Sequence, residues 1–438
     1  MQDLENNQKQ SNMQKVALTA LAGTSIEWYD FFLYGAAAAL IFPTAFFGEM
    51  PPTTALLLSL LTFAAGFIAR PIGGIIFGHF GDKVGRKKTL ISALMLMGIS
   101  STLIGLLPTY AMIGVAAPIL LTSLRFAQGL AIGGQWGGAM LLVTESAPSN
   151  QRGYYGAFAQ AGAPIGVILA NLALIITSAL VSEEFFNTWG WRIPFLASAV
   201  LILISMYIQL NLEDTDAFKA LVNNKGTQSD ENIKKSPVIE AIKKYPKRIF
   251  LAAGAFLSVQ VTFYILIAFM LAYGVTSANM ARDDMLAAVL IASAIMVPIQ
   301  FVFSSYSDRH GRKGIFMLGA VLTGIWAFAI FPLVDTGNFY LIVLAITGGL
   351  VFLAMMYGPQ AAFFTELFST EVRYSGATLG YQFGAIVGGA FAPTIAVKLW
   401  TEFDIIWVSA YIALASLLTL ISVMALTETY QSDLNNTY

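Results

Sequence analysis

Glu27 and Asp30 stand three residues apart in the otherwise apolar stretch GTSIEWYDFFLYG, and Arg70 and Arg125 each stand alone in further apolar stretches. In a helix this spacing puts both acids on one face with Tyr34. If those stretches cross a bilayer, each mid-span acid costs roughly 2.5–3.5 kcal/mol, so the pair costs about 5–7 kcal/mol before any compensation. Two acids and two cations sum to zero charge, which fits a buried network that only locks helices together. It also fits a carboxylate that carries a proton beside an arginine that anchors an anionic substrate. Burial raises a carboxyl's pKa and a nearby arginine lowers it, so movable cations let an acid gain and lose its proton in turn. Glu27 and Asp30 are expected to titrate as a coupled pair.

The elements that position these groups follow from composition. Of 438 residues 57% are hydrophobic and 11% charged, whereas soluble domains run at roughly 45–50% and about 25%. Twelve apolar runs of spanning length appear, near 16–42, 55–80, 89–107, 111–145, 155–181, 190–211, 249–275, 285–306, 315–333, 338–367, 375–399 and 404–427. Backbone in hydrocarbon must satisfy its own hydrogen bonds, and without period-two alternation that means helix. The expected fold is therefore all-α and integral to the membrane, with twelve transmembrane helices in two pseudo-symmetric six-helix bundles. Runs four and ten are long enough to tilt or to extend beyond the bilayer. Most of the 24 Lys and Arg fall on the N-terminal side of this topology, while the opposite loops hold only Arg192, Arg282 and Lys398. That bias puts both termini in the cytoplasm. The polar residues at the N-terminus do not read as a secretory signal.

The domain reading is a tail over 1–15, a six-helix bundle over 16–212, a cytoplasmic linker over 213–248, a second bundle over 249–427 and a tail over 428–438. The linker ends in SPVIEAIKKYPKR, which puts Val238, Ile239 and Ile242 on one face and Lys243, Lys244 and Lys247 elsewhere. This reads either as an amphipathic helix on the membrane surface or as a solvated basic linker. The halves repeat each other: Asp82, Gly85 and Arg86 in GDKVGRKK correspond to Asp308, Gly311 and Arg312 in SDRHGRKG, and Glu145 and Arg152 to Glu366 and Arg373. Parallel repeats of this kind are related by an axis along the membrane normal. The acids at helix ends could pair with bases and helix N-termini of the other bundle as a charge–dipole lock. The bland alternative is a topology signal alone. All ten residues are grouped here as gate candidates.

With these residues in view, the chain resembles the major facilitator superfamily, whose loop signature stands here as GHFGDKVGRKK with Lys83 in place of the usual Arg. FIARPIGGIIFGHFGDKVGRKK, LRFAQGLAIGGQWGG, WGWRIPF and TELFSTEVRYSGATLGYQ are similar to the metabolite:proton symporter branch, in which shikimate, α-ketoglutarate and proline/betaine transporters fall. The resemblance implies twelve helices, a central cavity and uptake of small carboxylates or zwitterions with a proton. Arg125 and Gly129 match the family's R-x-x-x-G element, which implies a coupling role. Gln135 stands where the family commonly has Glu.

The expected activity is proton-coupled import of a small organic acid, such as a shikimate-like hydroxy acid, by alternating access in the cell inner membrane. The alternatives are a zwitterionic osmolyte as substrate, or an exporter or facilitator of the same fold; an integral-membrane enzyme or a channel is remote. Glu27, Asp30 and Arg70 are assigned to proton coupling. Arg125 is assigned to the substrate, with Tyr34, Gln128 and Trp136 beside it. Gln260, Tyr264, Tyr357, Gln360, Tyr381 and Gln382 form the facing wall, although each is also a candidate for a simple interhelical hydrogen bond. The ladders Gly129–Gly133–Gly137 and Gly376–Gly380–Gly384–Gly388 read as close helix packing. With no cysteine and two histidines, no metal or other cofactor is expected. No P-loop is present to couple ATP, and a net charge of −1 gives no reason to invoke nucleic acid. The expected partners are substrate, protons and the lipid bilayer, and the expected state is a monomer.

Overall fold

The computed structural model describes residues 2–84, 86–213, 237–368 and 373–430. Within them the side chains of residues 2–12, 78–84, 86–90, 134–139, 141, 142, 146, 208–213, 237–240 and 374 lie outside the description. All regular elements among the described residues are helical.

Twelve long helices follow the twelve apolar runs. They are α1 (Gln2–Leu40), α2 (Pro52–Val84), α3 (Arg86–Leu106), α4 (Ala116–Ser146), α5 (Arg152–Leu180) and α6 (Ile193–Glu213) in the first half. The second half has α7 (Pro246–Tyr264, continued over Met270–Thr276), α8 (Arg282–His310), α9 (Arg312–Val334), α10 (Phe339–Glu366), α11 (Arg373–Gly384, continued over Ala392–Glu402) and α12 (Ile406–Ala425). Among the described residues ten of these are long and apolar enough to cross a membrane, and α3 holds a shorter apolar stretch over Ile91–Leu106. The fourth run differs from expectation. A short helix, Tyr110–Ile113, precedes α4, and between them Gly114 takes φ +59°, a left-handed conformation that breaks the run. Run ten is a single 28-residue helix.

Two spans are not plain α-helix. In α7 a π segment, Ile265–Phe269, follows Tyr264 directly, and in α11 another, Ala385–Ala390, follows Gly384. Such segments concentrate at functional sites because they re-aim the side chains around them. In α11 the cause is legible, since Pro393 just beyond the segment cannot donate to the helix ladder. In α7 nothing in the local sequence marks it.

Lipid gives helices no hydrophobic reason to associate, so close backbone packing carries much of the assembly. On α2 and α4 a Cβ at Gly129 would strike the carbonyl oxygen of Gly66, and one at Gly133 that of Arg70. The ladder read from the sequence thus holds α2 and α4 in backbone contact. In the second half Gly380, Gly384 and Gly388 play the same part for α11 against Ala252, Ala253 and Leu257 of α7. Gly137 lies outside the described side chains.

Candidate functional site

Close packing of α2 on α4 brings the two mid-membrane arginines together. The Arg125 side chain crosses Gly66, where a Cβ would sit 2.8 Å from its Nε. Its guanidinium carbon lies 4.1 Å from the Phe31 ring centre, 4.3 Å from that of Tyr34 and 4.7 Å from that of Phe63. Arg70 is 4.4 Å from both Phe31 and Phe67, and 5.4 Å from Trp28. The two cations therefore share the Phe31 ring. Both arginines are fully buried, and the Nε and Nη2 atoms of each have no hydrogen-bond partner.

The two differ in what else they meet. Arg125 bonds within its own bundle, although Tyr264 of the other half is near enough to act on its charge: its Nη1 donates to Gln128 at 3.1 Å, and Gln128 Nε2 donates to Ser101 Oγ at 2.7 Å. Ser101 keeps its own hydroxyl proton to give, and together with Ser198 and Arg125 it faces Asp30. Asp30 is 1% exposed and neither carboxylate oxygen closes a hydrogen bond. The order Arg125, Gln128, Ser101, Asp30 is thus a polar path inside one bundle. Arg70 instead faces the hydroxyls of Tyr264 and Tyr381 in the other half. Glu27 is only half-buried and has partners of its own.

Between the halves is a cavity of about 10 Å³, lined by Trp28, Phe32 and Ala163 on one side and by Phe256, Gln260, Phe263, Tyr264, Tyr357 and Tyr381 on the other. That is room for about one water. Of the expected wall, Gln260, Tyr264, Tyr357 and Tyr381 line it. Gln360 and Gln382 are buried outside the lining, each with an unpartnered Oε1. Tyr34 also lies apart, its hydroxyl 2.6 Å from Thr62 Oγ1. Arg125, Gln128 and Tyr34 come together as expected, although none of the three lines this cavity. Distance along a helix gives a residue's depth, and only packing decides which neighbour it faces. Trp136 lies outside the described side chains.

Bonds between the bundles lie toward both ends of the molecule. At the end carrying Met13–Ala20 and Glu428–Tyr430, Asp308 accepts from the backbone N–H groups of Gly153 and Tyr154, both at 2.8 Å. These are free donors at the N-terminus of α5, so the contact is a charge–dipole bond between bundles. A Cβ on Gly153 would sit 2.6 Å from Arg312 Nη1 and 2.8 Å from Asp308 Oδ1. Arg312 pairs with Asp308 at 2.7 Å and with Glu366 at 3.2 Å, while Arg152 reaches Glu366 at 3.8 Å and Arg373 reaches Glu145 at 3.4 Å. Gly311, at φ +99°, makes the α8–α9 turn that only glycine adopts without strain. Asp82, Gly85 and Arg86 lie outside the described residues or side chains.

Sequence reasoning missed several members of these closures. Glu428 accepts from the backbone N–H groups of Arg312 and Lys313 at 2.9 and 3.0 Å, and Thr429 donates to Glu366 at 2.8 Å. An acid just past the last span was the available signal. Along the α5 seam, Gln160 donates to the Tyr357 carbonyl at 3.2 Å and Gln300 to that of Ala157 at 3.3 Å. Nearer the other end Asn171 donates to the Leu286 carbonyl at 3.1 Å. At the opposite end Arg282 donates to Ser178 at 2.8 Å, Ser178 donates to Asp283 at 2.9 Å, and the guanidinium lies 4.0 Å from the Phe186 ring centre. Arg192, counted among the opposite loops, is buried and donates to the carbonyls of Gly105 and Leu107.

Residues 20–379 match the family model of the Major Facilitator Superfamily. The chain is 40% identical to the inner membrane metabolite transport protein YhjE of Escherichia coli K12, over 97% of this chain and 96% of that one. It is 37% identical to the shikimate transporter of the same organism, over 92% of each chain. The fold superposes on the crystal structure of a D-xylose–proton symporter with a TM-score of 0.74, over 95% of this chain and 99% of that one, at 16% identity.

Proposed function

The chain belongs to the Major Facilitator Superfamily, a multi-pass membrane transporter and not an enzyme, and on that footing we propose that it is a proton-coupled symporter importing a small organic acid, such as a shikimate-like hydroxy acid, by alternating access. The single observation behind this reading is the placement of Arg70, a buried cation with unpartnered Nε and Nη2 atoms, against Tyr264 and Tyr381, which line the cavity between the bundles. An unpaired buried charge is costly, and a planar guanidinium offers a carboxylate two parallel hydrogen bonds. Arg70 is therefore assigned to the substrate, in exchange with Arg125.

Asp30 is assigned to the proton. Its oxygens are unbonded and its polar neighbours lead to Arg125 through Ser101 and Gln128. Protonation of Asp30 removes the negative charge that faces Arg125, which couples the charge state to packing within the first bundle. Glu27 stays a second candidate for the same proton. The Lys/Arg bias assigns the Asp308 end to the cytoplasm of a cell with an inner membrane.

Uptake by purified protein in liposomes tests the reading. Labelled shikimate should accumulate against its gradient when the outside is acidic, and a protonophore should abolish accumulation. Equilibration without accumulation would make the protein a facilitator, and net outward pumping an exporter. A zwitterionic substrate is the second reading, favoured by the aromatic lining from Trp28, Phe32, Phe263 and the tyrosines, because such rings attract a quaternary ammonium. Glycine betaine competing with shikimate for uptake would support it.

A further inference from the structure

The functional reading leaves aside a basic patch where the polar linker enters α7. The helix Pro237–Lys244 is held in place: Ala241 is fully buried, Tyr245 packs on Phe368 at 6.2 Å between ring centres, and Arg248 donates to the Leu367 carbonyl at 3.0 Å. Lys243, Lys244 and Lys247 are nevertheless exposed, and so is Ile242 at 46%. One turn into α7 the Phe250 ring is 77% exposed. In a membrane-spanning helix an outward phenylalanine faces lipid chains. Lys247 lies three residues before it and so on the same face, about 5 Å nearer the water. That is headgroup depth. From Ser236 to Arg248 the sequence carries Lys243, Lys244, Lys247 and Arg248 against the single acid Glu240, with Lys234 and Lys235 just before.

We propose that Lys243, Lys244 and Lys247, with Ile242 and Phe250, form a docking surface for anionic phospholipid headgroups of the membrane that the protein spans. Basic clusters next to a transmembrane helix are drawn to anionic leaflets with about a fivefold gain in affinity per base close to the surface. The exposed apolar side chains beside them enter the same interface. The helix packs against α7 and α11, the two spans with π segments, so a bound headgroup would touch the elements that form the second wall of the cavity.

The test uses the full chain, which has no cysteine of its own. Phe250→Cys carries a fluorophore, and vesicles contain tail-brominated phosphatidylglycerol or, at equal mole fraction, tail-brominated phosphatidylcholine. The brominated phosphatidylglycerol should quench severalfold more, and high salt should erase the difference by screening. Lys243→Gln with Lys247→Gln should lose the preference, whereas Lys243→Arg with Lys247→Arg should keep it, which separates charge from misfolding. A label at Ile242→Cys repeats the reading if the Phe250 variant does not fold. Equal quenching by the two lipids, or a preference that survives the glutamine pair, would overturn the proposal. The readout needs no substrate and is independent of the transport reading.

Discussion

The two bundles share a fold and divide the chemistry. The first holds Asp30, Arg70 and Arg125 at mid-depth, whereas the second offers that centre tyrosines and a glutamine. At the end carrying Glu428 the described charges come from both halves: Asp308, Arg312, Glu366 and Arg373 of the second bundle meet helix-terminal N–H groups, Arg152 and Glu145 of the first. A group that must change its charge needs neighbours that respond within one rigid body. A gate instead needs partners on different bodies, so that rocking breaks its contacts. The division also appears between the two ends. One is closed by a buried ionic cluster, the other by the Arg282–Ser178–Asp283 bonds, of which Arg282 and Asp283 are partly exposed.

The largest effect is expected at the charge-carrying centre. Asp30→Asn should abolish pH-driven accumulation and leave exchange of substrate without pH dependence; uphill uptake that survives in both Asp30→Asn and Glu27→Gln would remove the acids from the mechanism. Next, removing the Arg70 contact should weaken binding of an identified carboxylate by roughly 30- to several-thousand-fold, or about 2–5 kcal/mol, and Arg70→Lys, which keeps the charge and loses the fork, should lose much of this. Arg125→Lys should weaken binding far less and impair coupling instead. The reverse pattern, measured by calorimetry on the two variants, would return the substrate to Arg125. If neither variant weakens binding, a neutral or cationic substrate becomes the better reading.

Smaller effects sharpen the contrast between the ends. Asp308→Asn removes charge from two backbone contacts and the Arg312 pair, and should open that end by roughly 100-fold in population, or about 3 kcal/mol. Gly153→Ala should open it too with all charges kept, because its methyl group would crowd Arg312 and Asp308. Labelling of an introduced cysteine on that side of the cavity checks both, and unchanged labelling counts against the lock. The smallest shift is expected at the opposite end. Ser178→Ala removes bonds to two charged but partly exposed partners, worth about 1 kcal/mol after solvent screening, a shift of roughly fivefold toward opening there.

Much of this was legible in the sequence because membranes restrict the choices so strongly. Apolar runs of spanning length had to be helices, and acids inside them had to be answered by cations. The Asp308 contact between the bundles was legible through duplication, since Asp308, Gly311 and Arg312 repeat a loop whose first copy lies outside the described side chains. Gly129 and Gly133 were rightly read as packing. Sequence order sets how deep a residue sits, and that alone determined which four ionisable groups could matter. Which arginine meets the other bundle was a different question. It was decided by Gly66, Gly129 and Gly133, which press α2 against α4 and leave Arg125 folded inward over Gln128 while Arg70 faces Tyr264 and Tyr381. The rotation of one helix against another is set by contacts between residues far apart in the chain. For the same reason no local pattern shows that Glu428 caps Arg312, or that the α7 ladder slips into a π turn after Tyr264.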